Sequence, residues 1–493
     1  MLLTSCLAAL ALAVSASATQ QFFSAQSPAN FQSYDAGLFT PLEDLSLLSK
    51  TDFTTLSHPL FPNYSVRIKK SDFCDETVAS YTGYIDIQAR HFFFYFFESR
   101  NDPATDDIIY WTAGGPGCSS SLELFMEFGP CRVTDVNTTT FNPYSWNERA
   151  NIFFVDQPVN VGFSYAEFGE VVSTTTEAAK DMAAFTAIFF EHFSQFKGRA
   201  FHVGGASYGG RYIPVFASEV YDQNARLIEA GLTPINLTSI LIGNGCTDPA
   251  TMTASYYDMA CRPMPVDPIL DISTCVRMKQ AVGRCEKMMK ESCVDKFEAI
   301  GCQAASVFCG AEIEAPFDAS GYNPYDISKP CDGVVSDNLC YPLSKTIEKY
   351  LSRPVTRASL GVDAVVPEEF QVCNNDVNSA FHVSHDHMFP TQFYIAALLE
   401  RGIRTLLYIG VNDWICNWVG NDRMVQGMEW TGQQAFVDQP LREWSVDGQV
   451  AGLTRSAGPL TFLTLDNAGH MPAYDTPKAA QVMLQRWLAG EEM

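Results

Sequence analysis

The sequence predicts a doubly wound, mainly parallel α/β sheet interrupted by a disulfide-rich insertion. Three observations predict it: short apolar runs that alternate with stretches of helical spacing, a glycine-flanked serine at one strand-to-helix turn, and a cluster of cysteines where the alternation lapses.

Residues 81–89 and 91–98 are neighbouring runs of aromatic and β-branched residues and read as a strand pair. Residues 107–112 form a buried strand running into Gly114-Gly115-Pro116-Gly117, and 151–156 form another. Residues 174–193 carry apolar positions at helical spacing with few breakers. Further strands fall at 200–204, 239–242, 404–409 and 460–465, with a closing helix over 477–488. Strands separated by helices must be joined by crossovers, which makes the sheet mainly parallel.

Between about 248 and 375 this rhythm stops. Cys261, Cys275, Cys285, Cys293, Cys302, Cys309, Cys331 and Cys340 fall within 80 residues of one another. No CxxC pair occurs and the spacings are irregular, so no metal is expected and a disulfide-stapled insertion is favoured over zinc. Spacing alone leaves about a hundred pairings open. The chain thus divides into a first part of the core, 71–247, the insertion, 248–375, and a second part of the core, 376–493.

The amino terminus explains fifteen cysteines in one chain. Residues 2–18 are uncharged and end in Ala16-Ser17-Ala18, so 1–18 reads as a secretory signal with its cleavage site. Oxidised cysteines belong to such a compartment, and the expected location is the secretory pathway, leading to a vacuole lumen or the exterior. No later stretch approaches 18 apolar residues, so no membrane anchor is expected. Residues 19–70 are rich in Ser, Asn and Pro, close on Lys69-Lys70, and read as a pro-segment or extended arm. Asn63, Asn137 and Asn236 begin glycan acceptor sequons.

The 493 residues hold 32 Lys+Arg against 56 Asp+Glu, a net charge of −24, which argues against nucleic acid and against anionic membranes as partners. With 47% hydrophobic residues the chain can bury a large core.

Gly205-Ala206-Ser207-Tyr208-Gly209 fits G-x-S-x-G between an apolar strand and a helix expected over 212–221, the context of a nucleophile elbow. Its glycines are expected because the turn is strained and the hydroxyl must stand clear. A serine hydroxyl needs a base, and the base an orienting carboxylate. His470, just after the last strand, and Asp413, just after the strand at 404–409, are best placed. The order Ser207, Asp413, His470 is that of α/β-hydrolases. Oxyanion donors are expected at the Tyr208 and Gly115 amides. No Lys-Ser/Thr follows Gly114 to Gly117, so that loop is not read as a phosphate cradle.

Five segments in order now carry a family resemblance. Thr112-Ala113-Gly114-Gly115-Pro116-Gly117-Cys118-Ser119-Ser120, Asp156-Gln157-Pro158-Val159-Asn160-Val161-Gly162-Phe163-Ser164-Tyr165, Ile242-Gly243-Asn244-Gly245, Asp413-Trp414-Ile415-Cys416-Asn417-Trp418 and Gly469-His470-Met471 together resemble the serine carboxypeptidases, from about residue 81 to the C-terminus. The resemblance implies an α/β-hydrolase fold with a cap, acid-active release of C-terminal residues from peptides and proteins through an acyl-enzyme, and no cofactor. It implies the disulfides Cys118–Cys373, Cys261–Cys275, Cys285–Cys309, Cys293–Cys302 and Cys331–Cys340. Cys416, beside Asp413, would be an unpaired thiol near the substrate pocket, Met471 is a further expected substrate-binding residue, and Cys74, Cys131 and Cys246 have no assigned partner.

Two departures bear on recognition. Where the family has Asn and Glu to help hold the substrate's terminal carboxylate, this chain has Ala113 and Ala206, leaving the Gly114 amide and Glu127. Two lost hydrogen bonds to a charged group amount to about 3–6 kcal/mol, on the order of a hundred- to ten-thousand-fold in peptide kcat/KM. Glu127, without a carboxyl neighbour, is expected to have a less elevated pKa and to repel the carboxylate once ionised. An esterase, amidase or acyltransferase on the same residues is therefore the second reading, and a non-catalytic secreted binding protein the third. A further change, His387 in place of a family Trp, is expected to alter a side-chain pocket.

Overall fold

The computed structural model describes residues 44–59 and 61–493; the expected signal and most of the expected arm lie outside the described residues. Twelve strands make the path of one large sheet. In chain order they are β1 (Thr54–Ser57), β2 (Tyr64–Ser71), β3 (Ser80–Ile87), β4 (Arg90–Phe97), β5 (Asp107–Thr112), β6 (Ala150–Val155), β7 (Phe201–Ala206), β8 (Leu237–Gly243), β9 (Arg404–Gly410), β10 (Arg442–Val446), β11 (Gln449–Ala457) and β12 (Leu460–Leu465). Their spatial order is β1-β2-β3-β4-β6-β5-β7-β8-β9-β12-β11-β10. The six strands from β6 to β12 in that order are parallel to one another, and the pairs outside them are antiparallel.

The aromatic run of β4 shows why such a sheet needs two covers. Phe92, Phe94 and Phe96 pack on one face with Phe185 and Phe189 of the helix Thr175–His192, while Phe93, Tyr95 and Phe97 pack on the other with Phe73 and Phe125. Successive side chains point to opposite faces, so a strand covered on both reads as a continuous apolar run. Each buried ring contributes roughly 1.5–3 kcal/mol. The helix Thr175–His192 starts where Thr174 Oγ1 accepts from the Glu177 amide at 3.3 Å.

The expected arm is partly sheet. From residue 54 the chain forms β1 and β2, and β2 pairs with β3 along its full length. Lys69 of the dibasic pair is buried within β2, with its ammonium pKa lowered by burial. The Cys74–Cys131 disulfide then ties this side of the sheet to the short strand Cys131–Val133 between β5 and β6.

Between β8 and β9 the chain leaves the sheet and builds helices Pro249–Cys261, Ile272–Met289, Ala299–Cys309 and Leu343–Ser352. Asp248 caps the first, accepting from the Ala250 amide at 3.1 Å, and Asp271 caps the second, accepting from the Thr274 amide at 3.0 Å. The core of this region is small, so cystines fill it: Cys285, Cys293, Cys302 and Cys309 are all buried beside Met278, Met289 and Phe317. Trp414, reaching in from the sheet side, stacks between Tyr256 and Phe317, each at 4.1 Å between ring centres.

All five disulfides implied by the resemblance are formed, and two more are Cys74–Cys131 and Cys246–Cys416. The last overturns the expectation of an unpaired thiol at Cys416. Cys246 follows β8 and Cys416 follows β9, and because those strands are adjacent and parallel their C-terminal loops lie side by side.

Candidate active site

The C-terminal ends of β5, β7 and β9 and the loop after β12 converge on one cavity of about 530 Å³. Ligand sites in open α/β sheets form at this end, outside the carboxyl ends of the strands. Its wall includes Gly114, Gly115, Ser207, His470 and Met471, and the Cys118–Cys373 disulfide borders it.

Ser207 sits between β7 and the helix Gly209–Glu229 with φ of +60°, the left-handed conformation that a serine adopts only where the surroundings enforce it. Its amide donates to the Gly243 carbonyl at 2.9 Å, and its own carbonyl accepts from the Gly210 and Cys246 amides, each at 2.9 Å. The steric demand for glycine falls at 205 and 210. A Cβ on Gly205 would lie 2.8 Å from the Thr112 carbonyl oxygen, and one on Gly210 would lie 2.6 Å from Thr247 Oγ1. At Gly209 the nearest atom is 3.8 Å away, so the motif's last glycine is not required for space, contrary to the sequence expectation.

Gly114 crosses directly over the elbow. A Cβ there would lie 2.5 Å from both the Tyr208 nitrogen and the Ala206 carbonyl oxygen. This close approach brings the Gly115 amide, at a residue with φ of +110°, to the same region as the Tyr208 amide. Neither amide donates to another group among the described residues. The Tyr208 ring is held from behind by its hydroxyl, which donates to Asp386 Oδ2 at 2.7 Å.

His470 is buried, and its Nδ1 donates to Asp413 Oδ2 at 2.8 Å. Its amide donates to the Tyr325 carbonyl at 2.7 Å, so a loop before the cap helix Leu343–Ser352 helps to place it. Asp413 is wholly buried and receives two more bonds, from Asn244 Nδ2 to Oδ2 at 2.8 Å and from the Ile415 amide to Oδ1 at 3.1 Å. Asn244 was not among the expected site residues. Its signal in the sequence was only its place in Ile242-Gly243-Asn244-Gly245, directly after β8.

Glu127 is also buried but does not line the cavity. Its Oε2 accepts from the Ala473 amide at 3.0 Å. Burial pushes its carboxyl well above the usual range, and the next largest cause is Glu123. Glu127 therefore does have a carboxyl neighbour, four residues earlier on the same helical turns, and the expectation of a less elevated pKa is overturned. Ala113 is buried, and Ala206 faces the cavity. Cys416 is consumed in its disulfide, so it offers no thiol to a substrate. His387 does not line the cavity either: its ring stacks on His382 at 4.4 Å and burial pushes its pKa down to about 3.

Among the described residues one group could gather three metal-ligating atoms, Asp413, Cys416 and His470. The Cys416 sulfur is bonded to Cys246 and His470 Nδ1 to Asp413, so these donors are already committed.

Comparison with known proteins now bears on this arrangement. A sequence model described as serine carboxypeptidase matches residues 72–490. Carboxypeptidase Y of Candida albicans is 39% identical over 434 residues, covering 87% of this chain and 77% of that protein. Carboxypeptidase Y of Komagataella phaffii is 38% identical over 445 residues, covering 89% and 82%. A vacuolar serine-type carboxypeptidase of Saccharomyces cerevisiae is 38% identical over 444 residues, covering 89% and 85%. The crystal structure of a prohormone-processing carboxypeptidase from Saccharomyces cerevisiae superposes with a TM-score of 0.70 at 23% identity, over 90% of this chain and 97% of that one, and shares the fold. With the match running almost unbroken from β3 to the last helix, the chain belongs to the serine carboxypeptidase family and is a serine-type hydrolase of peptides.

Proposed function

We propose that this carboxypeptidase works through Ser207 as nucleophile, His470 as general base and then general acid, and Asp413 as the group that orients His470. The observation that carries the reading is the His470 Nδ1 to Asp413 Oδ2 bond at 2.8 Å beneath a cavity whose wall also holds Ser207. With Nδ1 committed as a donor, Nε2 is the ring nitrogen left to take the serine proton. Attack of Oγ on the scissile carbonyl forms the tetrahedral intermediate, whose oxyanion the Gly115 and Tyr208 amides are placed to receive. Collapse releases the C-terminal residue, protonated by His470, and water then cleaves the acyl-enzyme by the same route.

Peptide and protein C-termini are the substrates in this reading, and the enzyme is acid-active, as the resemblance to the serine carboxypeptidases implies. Seven disulfides support residence in the lumen of the secretory pathway, and the name of the vacuolar relative favours a vacuole over the exterior. Asn63, Asn137 and Asn236 are all exposed, as glycan acceptors must be.

The second reading, an esterase or amidase with weakened carboxylate recognition, is favoured by Ala113 and Ala206. The test is turnover of one blocked peptide with a free C-terminus beside its ester and C-terminal amide from pH 4 to 8, with Ser207→Ala as control. Peptide cleavage at acid pH, absent in Ser207→Ala, is expected. Ester or amide turnover without peptide cleavage would leave the nucleophile in place and reject exopeptidase action.

A further inference from the structure

One polar group in the cavity wall has no part in the chemistry above. Glu123 ends the helical turn Ser121–Glu123, is 3% exposed, and lies in that wall with Gly114, Ala206, Ser207 and His470. Its Oε2 meets no hydrogen-bond partner among the described residues. Buried polar atoms without partners are rare in folded proteins, and one in a ligand cavity is explained by the ligand.

The chemistry of the wall says which ligand. A carboxypeptidase must recognise a terminal carboxylate, and the wall holds a single lysine or arginine, Lys345, which is already paired with Glu348 at 2.9 Å and Asp337 at 3.1 Å. The remaining titratable groups there are His470, Tyr325, Glu369 and Glu123. With no unpaired cation, the carboxylate has to be held by neutral donors. Ala206, the position at which the resemblance leads one to expect a carboxyl, opens onto the same space. The groups that face Glu123 are Glu127 on its own helical turns, Asp156 at the end of β6 and Tyr408 on β9.

We propose that Glu123 is a specificity-determining residue of this enzyme, whose carboxyl O–H donates a hydrogen bond to the terminal carboxylate of the peptide that Ser207 attacks. The proposal rests on the reading of Ser207 as the nucleophile and assigns to the facing helical turn a role that Ala206 cannot fill. Burial, reinforced by Asp156, pushes the Glu123 carboxyl up to about 8, so it carries its proton through the acid and neutral range. Once ionised it can only accept. It then repels a carboxylate and suits a C-terminal carboxamide, whose N–H₂ donates. Preference for free acid over amide therefore falls as pH rises through the Glu123 titration.

Binding to Ser207→Ala protein tests this without turnover. The affinities of a blocked dipeptide free acid and of its C-terminal amide are measured by calorimetry from pH 5 to 9.5, and again with Glu123→Gln and Glu123→Ala added. The free acid is expected to weaken about 10- to 100-fold relative to the amide across that range. Glu123→Gln, which keeps a donor that does not titrate, should hold the ratio within about threefold at all pH values, and Glu123→Ala should weaken the free acid about tenfold or more at pH 6 while sparing the amide. A Glu123→Gln slope like that of the parent overturns the proposal, and so does a failure of Ser207→Ala protein to bind the free acid at pH 5 to 6. The glutamine variant is nearly isosteric and carries the test if the alanine variant does not fold. Absence of hydrolysis by the unaltered enzyme, with free-acid binding intact in Ser207→Ala, would reject the nucleophile alone.

Discussion

Asp413 and Glu123 are carboxyls buried around the same site, and their neighbours give them opposite hydrogen-bonding roles. Asp413 receives three donors, from His470, Asn244 and Ile415. Every one of those bonds needs the oxygens to accept, so the side chain is fixed as an acceptor. Glu123 Oε2 receives none, and two more carboxyls, Glu127 and Asp156, stand nearby. Burial outweighs the one backbone hydrogen bond this carboxyl receives and drives the proton on, and the same functional group becomes a donor. The difference lies in what surrounds each carboxyl.

The comparison breaks most visibly at Asp413. Asp413→Asn presents an amide N–H₂ where His470 Nδ1–H or Asn244 Nδ2 must donate, so kcat should fall about 10⁴-fold while circular dichroism stays that of the folded enzyme. A loss below tenfold would show that the donor set around Asp413 does not govern the histidine.

The Cys246–Cys416 disulfide joins the loop carrying Asn244 to the loop carrying Asp413. Replacing both cysteines by serine should cost about 2–5 kcal/mol of stability in urea denaturation. The loss in kcat should be smaller than at Asp413, since the three donor bonds remain. Unchanged stability would mean that the packing of β8 on β9 alone fixes these loops.

Glu123→Gln sharpens the contrast by its dependence on pH. The folded pKa of about 8 stands above the ordinary 4.5, so the unfolded chain releases this proton first as pH rises. The favourable contribution of the protonated form is complete below 4.5 and is lost as pH climbs toward 8. Glutamine removes that slope, so its melting temperature should gain on the parent by a few degrees between pH 5 and 8. Parallel melting curves against pH would show that Glu123 titrates normally in the fold.

The parts of the chain that were legible in its sequence are those whose signal is local. Residues 107–112 and 460–465 read as strands and are β5 and β12, because both faces of these strands are buried and, apart from the half-buried Asp107, every position is apolar or a threonine. β1 and β2 were missed, although Val66 and Ile68 alternate with Arg67 and Lys69, because these strands at one side of the sheet carry polar residues at many positions and lack a continuous apolar run. The β10–β11 hairpin was missed too, although Asp447-Gly448, both at positive φ, is the turn such a hairpin needs.

In the site, the strand-turn-helix around Ser207 and the placement of Asp413 and His470 each after an apolar strand follow from patterns a few residues long. The sequence by itself determined those, together with the parallel strands at the centre of the sheet and the order of its chemistry. Only the tertiary structure decided that Cys416 meets Cys246 across a separation of 170 residues, that Asn244 reaches Asp413, and that Glu123 stands in the cavity wall with no partner. Periodicity and turn chemistry act between neighbours in the chain, whereas burial and the supply of donors are set by groups that only folding brings together.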